Sequence, residues 1–176
     1  MELVIALVKV LIVSAIFIRV VTAVYRFFAY AKTPFGFRGE LVFLDKGQVR
    51  GFAFFNRRFL IGSTPDAIYR TNINQIHIVE QKSRKKGIYD SDIAQAEIGA
   101  LTVSESNMGT VTHITVANQT QTLTKRVPSP RKIARKYKKE IQIAREIKNG
   151  KHIDIRKPEP AKCRSCRYFN ECKNHV

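Results

Sequence analysis

STPDAIYR (residues 63–70) followed by IHIVEQKSR (residues 76–84) is the stretch that decides the fold. Each half has the β-branched and aromatic content of a strand, and a turn is expected between them at Thr71-Asn72. A strand ending in Pro65-Asp66 and a second ending in Glu80-Gln81-Lys82 would put two carboxylates and an ammonium group at one edge of a sheet. Side chains alternate along a strand, which puts Glu80 and Lys82 on one side and Gln81 on the other. Asp66 and Glu80 offer the oxygen ligands that Mg²⁺ or Mn²⁺ prefers. Lys82 is left to orient an attacking water and to offset the charge that grows on a phosphate. A Glu-x-Lys triplet by itself occurs by chance in most proteins, so the reading rests on its surroundings.

Those surroundings are Gly62 and Pro65 before the Asp, an apolar run Gln75–Val79 into the Glu, Ser83 after the Lys, and a helix-like segment containing Gln95. The chain closes with PEPAKCRSCRYFNEC, which places Cys163, Cys166 and Cys172 at C-x2-C-x5-C spacing. In this order, over roughly residues 39–173, the sequence resembles the PD-(D/E)XK nuclease superfamily. The likeness is to its RecB-like branch, which includes CRISPR-associated and replication-linked exonucleases with a C-terminal cysteine cluster. The resemblance implies an α/β, restriction-endonuclease-like core, a mixed sheet flanked by helices, and metal-dependent cleavage of DNA. It further implies catalytic roles for Asp66, Glu80, Lys82 and Gln95, and an iron–sulfur cluster on the three cysteines. The backbone carbonyl of Gln81 is a further candidate metal ligand beside Asp66 and Glu80.

The chain departs from the family's pattern at several positions. It has only three cysteines, so the usual fourth cluster ligand upstream is missing. No His precedes His77, Gln81 replaces an apolar residue, and Gly99 stands where the Q-x3-Y signature has Tyr.

The composition fits a chain that meets anions. A length of 176 residues suits one domain, and the net charge of +17 favours nucleic acid or an anionic lipid surface as partner. Cysteines confined to the last fourteen residues do not make a disulfide framework and read as a metal site in a reducing compartment.

From Leu3 to Val24 the sequence is apolar except for Lys9 and Arg19, which lie near opposite ends and can snorkel to headgroups. Tyr25, Phe27, Phe28 and Tyr30 are expected to form an interfacial belt. Arg26, Lys32 and Arg38 follow the span and only Glu2 precedes it, so the positive-inside rule puts the remainder in the cytoplasm. Two other readings stand beside the anchor: a signal peptide cut at Ala29-Tyr30-Ala31, and a buried or amphipathic helix.

The expected organisation is an anchor at 1–31, a linker at 32–39, a nuclease-like domain at 40–150 and a cysteine tail at 151–176. Strands are expected at 40–44, 49–55, 59–61, 67–69, 76–82, 111–117 and 121–127, the first five as a meander whose first hairpin turns at Asp45-Lys46-Gly47. A helix over 91–106 should bury Ile93, Ile98 and Leu101, with Asp90, Asp92 and Glu97 as acids suited to its dipole.

A final helix over 130–148 should carry an apolar stripe of Ile133, Tyr137, Ile141 and Ala144. Arg131, Lys132, Arg135, Lys136, Lys138 and Lys139 lie outside that stripe, for phosphate or lipid headgroups. The tail has three readings: a [4Fe–4S] cluster, a Cys3His zinc site completed by His175, or no metal. The remaining histidines, His77, His113 and His152, read as packing or surface residues. Two functions remain: a membrane-anchored deoxyribonuclease, or an inactive module of the same fold that binds DNA or anionic lipid.

Overall fold

The computed structural model describes residues 1–45, 54–151, 164 and 169–171. The chain divides into two units, Met1–Lys136 and Tyr137–Val176. The first holds a mixed five-stranded sheet. Its strands are β1 (Glu40–Leu44), β4 (Ala67–Asn72), β5 (Gln75–Gln81), β6 (Thr110–Ala117) and β7 (Thr122–Arg126), side by side in that order. Only β5 and β6 run parallel, because helix α2 (Asp90–Val103) carries the chain back across the sheet between them. The short strands β2 (Phe54–Asn56) and β3 (Ile61–Ser63) form a separate antiparallel pair.

This is an α/β arrangement with a mixed sheet flanked by helices, as expected, but the pairing is not a simple meander. β1 pairs with β4 and β2 with β3, so no β1–β2 hairpin forms among the described residues. The turn at 45–47 falls largely outside those residues. β4 continues through Thr71 to Asn72 and the reversal falls at Ile73-Asn74. The Asn72 side chain accepts the Ile73 N–H at 2.9 Å, the local bond that favours Asn at a turn.

One face of the sheet carries Ile68, Ile78, Glu80, Ile114 and Val116, all at 2% exposure or less. Helix α2 covers it with small residues. Ala96, Gly99 and Ala100 are buried, and a Cβ on Gly99 would stand 3.4 Å from Pro65 Cγ. Small side chains bring the helix axis close to the strands, and Gly99 lets α2 rest on the proline that precedes Asp66. The contact face therefore differs from the one expected: Ile93 and Ile98 are only half-buried, and only Leu101 is core. Glu97 is not a helix-start acid. It is buried in mid-helix and accepts from Lys136 Nζ at 2.7 Å.

The opposite face packs through aromatic rings. Phe37 stacks on His77 with ring centres 3.9 Å apart and meets Tyr69 edge-on at 5.5 Å. The supposed linker 32–39 is thus a built turn. Thr33 N–H and Oγ1 both donate to Phe37 O, Gly36 takes φ +85°, and Gly39 N–H returns to Ala31 O at 3.0 Å. Arg38 caps the preceding helix by donating to Phe27 O and Tyr30 O at 3.0 and 2.9 Å, with its guanidinium 4.1 Å above the Phe27 ring.

That helix, α1 (Glu2–Ala29), is long and apolar enough to cross a membrane. None of its apolar window Val4–Ala29 is buried against the domain, so it is not a core helix of this fold. A bilayer core takes about 20 residues, which leaves room for Lys9 and Arg19 to reach opposite headgroup layers. Tyr30 is 6% exposed and packs inside the protein, which removes it from the expected aromatic belt.

The buried His77 is held at a pKa of about 4, below its ordinary 6.5, by desolvation first and by the neighbouring His113 second. Its Nε2 shares a 2.7 Å hydrogen bond with Thr115 Oγ1. Because the folded pKa is the lower one, this group's contribution is complete above pH 6.5 and is lost as the pH falls toward 4. Each tenfold change in proton affinity is worth about 1.4 kcal/mol, so the loss amounts to about 3 kcal/mol. Urea unfolding of the full-length protein in detergent at pH 7 and pH 4.5 should show this loss, and His77→Gln should remove most of the difference. An equal pH dependence in both proteins would refute the assignment.

Helix α3 (Pro130–Lys136) packs on α2 and buries Ile133 at 1% exposure. The expected single C-terminal helix is broken at Tyr137. Helix α4 (Lys138–Lys148) belongs to the second unit and has no buried residue, and Ala144 is exposed, so the proposed continuous stripe does not form. In the second unit only Arg164 and a single 3-10 turn, Phe169–Glu171, are described beyond Lys151. The cysteine site proposed at Cys163, Cys166, Cys172 and His175 lies outside the described residues.

Candidate active site

Asp66 does not end a strand as expected but immediately precedes β4, Glu80 is the penultimate residue of β5, and Lys82 directly follows that strand. β4 and β5 are antiparallel inner strands, so these residues gather at one end of the sheet and not at its edge. The distinction matters because the next turn of chain and helix α2 can then close over them.

The four side chains singled out from the sequence are linked in one chain of contacts. Lys82 Nζ donates to Glu80 Oε1 at 2.7 Å and to Gln95 Oε1 at 2.7 Å. Gln95 reaches it from the second turn of α2, on the side that faces the strand ends. Gln81 N–H donates to Asp66 Oδ2 at 2.6 Å, which fixes the carboxylate beside β5. The expected alternation holds: Glu80 is 2% exposed, Lys82 half-buried and Gln81 turned to solvent.

Burial raises the Glu80 carboxyl above its ordinary value. The hydrogen bond from Lys82 opposes the rise, while Asp66, within hydrogen-bonding reach, adds to it. Two carboxyls pressed together with one reluctant to ionise is an arrangement that a proton or a divalent cation relieves.

Among the described residues no group of three or more His, Cys, Asp or Glu side chains forms a metal cluster. The donor set here is the two carboxylates of Asp66 and Glu80. This suits Mg²⁺, which commonly takes one or two carboxylates and fills its octahedron with water and substrate phosphate oxygens.

The supporting contacts at the start of α2 lie outside the sequence reading. Asp92, read there as an ordinary helix-start acid, is 5% exposed and accepts the Tyr89 N–H at 2.8 Å, closing the first turn of α2. Burial alone would raise its carboxyl, but the Arg84 hydrogen bond and ion pair leave it below its ordinary value. The spacing Tyr89-x2-Asp92 is the only sequence signal for this, since Arg84 comes from the preceding loop.

The opposite end of the sheet lies by the apolar helix. Val21, Thr22 and Tyr25 of α1 line a cavity of about 630 Å³ with Asn72, Asn74 and Gln75 of the β4–β5 turn. β4 separates the two ends with six residues, or about 20 Å. The sheet thus points its carboxylates away from the end that α1 approaches.

Taken together, these features describe an α/β domain with a mixed sheet, flanking helices and one apolar N-terminal helix. No family model matches the chain, and no curated protein does so either.

Proposed function

We propose that the chain is a membrane-anchored, metal-dependent deoxyribonuclease with a restriction-endonuclease-like core. The observation that carries the reading is the convergence of Asp66, Glu80, Lys82 and Gln95 through hydrogen bonds of 2.7 Å or less. The strand order also supports it: an antiparallel pair bearing the carboxylates, a helix bearing the Gln, then a parallel strand.

Asp66 and Glu80, with the Gln81 carbonyl, would hold Mg²⁺ or Mn²⁺. The ion when bound lowers the pKa of a water and neutralises phosphate oxygens. Lys82, steadied by Gln95, holds its ammonium group beside the carboxylates, where it orients water and offsets charge as the phosphorane forms. Glu80 must be ionised to serve as ligand, so its raised pKa ties metal binding to pH. DNA fits as substrate because the chain carries +17 and its site lies at the end of the sheet away from the apolar helix. A lipid phosphodiester would require the reverse orientation. The cytoplasmic placement follows from the basic residues after the span, and an iron–sulfur or zinc site in the tail belongs to the same proposal.

Full-length protein in detergent should cut DNA with Mg²⁺ or Mn²⁺ and stop when EDTA is added. Binding of DNA without cleavage under any divalent ion would overturn the nuclease and leave an inactive module of the same fold.

A further inference from the structure

Lys82, Arg84, Lys85 and Lys86 place four cations in five residues just beyond β5. Two of them are consumed inside the fold. Lys82 pairs with Glu80. Arg84 pairs with Asp92, donates to Gly87 O at 3.0 Å and stacks 4.7 Å above the Tyr89 ring. Lys85 and Lys86 are exposed and form no ion pair among the described residues. Two adjacent uncompensated ammonium groups repel each other, and a flexible loop would let them drift apart into solvent.

This loop is instead tied down from the neighbouring β6–β7 turn. Gln119 Nε2 donates to Ser83 O at 2.7 Å, Thr120 Oγ1 to Lys85 O at 2.5 Å and Asn118 Nδ2 to Gly87 O at 3.1 Å. Gln121 Oε1 accepts the Gly87 N–H at 3.1 Å. Asn118 Oδ1 shapes the turn itself by accepting from the N–H groups of Thr120 and Gln121 at 2.9 and 2.8 Å. Because β5 and β6 are parallel, this turn and the Ser83–Gly87 loop emerge at the same end of the sheet as Asp66 and Glu80. Four side chains thus fix the backbone of a loop that carries two exposed charges at the same end of the sheet as the candidate site.

We propose that the Ser83–Gly87 loop is a phosphate-binding ridge. On the nuclease reading, on which this inference rests, Lys85 and Lys86 take backbone phosphates of the polynucleotide adjoining the bond at the active site. The Asn118–Gln121 turn is the positioning element. Phosphate contacts of this kind set the register of a strand without reading its bases. Holding the lysines on a fixed backbone removes part of the ordering cost of binding.

The test measures binding of a fluorescent oligonucleotide, single-stranded or duplex, to the full-length protein in detergent with EDTA present, over a range of salt. Lys85→Ala with Lys86→Ala should raise Kd about tenfold or more and lower the slope of log Kd against log salt by about 1.8 on duplex or about 1.4 on a single strand. The form that shows its expected change identifies the substrate form that the ridge tracks. Thr120→Val keeps the charge yet should weaken binding several-fold, and Thr120→Ser should restore it. Unchanged Kd and slope in the double variant would overturn the ridge even if the protein cleaves DNA. Loss of binding to phosphatidylserine vesicles with oligonucleotide binding intact would overturn it in favour of a lipid contact. Loop-dependent binding in EDTA, with no cleavage once Mg²⁺ or Mn²⁺ is supplied in its place, would sink the nuclease and keep the ridge.

Discussion

Lys82→Met protein should cleave DNA roughly 10²–10³ times more slowly than the native chain, the cost of removing one preorganised charge from a developing phosphorane. Asp66→Asn and Glu80→Gln should reduce cleavage to background, because each removes one of the two carboxylates proposed to hold the ion. All three should remain folded.

Glu80→Gln is the most telling variant. Its folded pKa is raised, so the folded state holds a proton that the unfolded chain releases above pH 4.5. Ionised Glu80 therefore opposes folding at neutral pH, and the Gln variant should melt no lower than the native protein at pH 8. Cleavage by the native chain should fall about tenfold per pH unit below the raised Glu80 value. Raising Mg²⁺ should move that acid limb to lower pH, since metal and proton compete for the same oxygen. An acid limb that ignores Mg²⁺ would remove Glu80 from the metal site. Retention of full activity by Lys82→Met would remove the lysine from the mechanism.

An all-or-none partition is expected for α1. The full-length protein should stay in the membrane pellet through a carbonate wash, and residues from Lys32 onward should be open to protease from the cytoplasmic side alone. The span is predominantly apolar and its apolar window is unburied, so outside a bilayer its exposed apolar side chains would have no partner. The Arg38 cap and the Phe37–His77 stack join it to the sheet without slack. Once α1 is inserted, the built turn at 32–39 should therefore hold the carboxylates at a set height above the headgroups. Release by carbonate would identify a surface-bound helix, and a mature N-terminus at Lys32 a signal peptide.

The apolar helix, the strands β4 and β5, and the meeting of Asp66, Glu80, Lys82 and Gln95 were legible in the order of residues alone. These are local properties: an unbroken apolar run, alternation with period two, and a helix start after a charged loop. Alternation also required Gln81 to face away from its neighbours.

Which strands pair is a tertiary matter. β1 passes over its neighbours in sequence to join β4, and a pairing between segments more than twenty residues apart leaves no period to read. The face that α2 buries was hidden for a related reason. Isoleucines at 93 and 98 look like core, but the close approach to Pro65 and Ile78 demands Ala96, Gly99 and Ala100, so small size outranks hydrophobicity there. Ion pairs such as Glu97 with Lys136 and Arg84 with Asp92 were equally invisible, because a charge in sequence does not disclose what will stand opposite it. The same holds for the loop at 83–87. Nothing in its own residues discloses that the turn at 118–121, more than thirty residues away, holds its backbone in place.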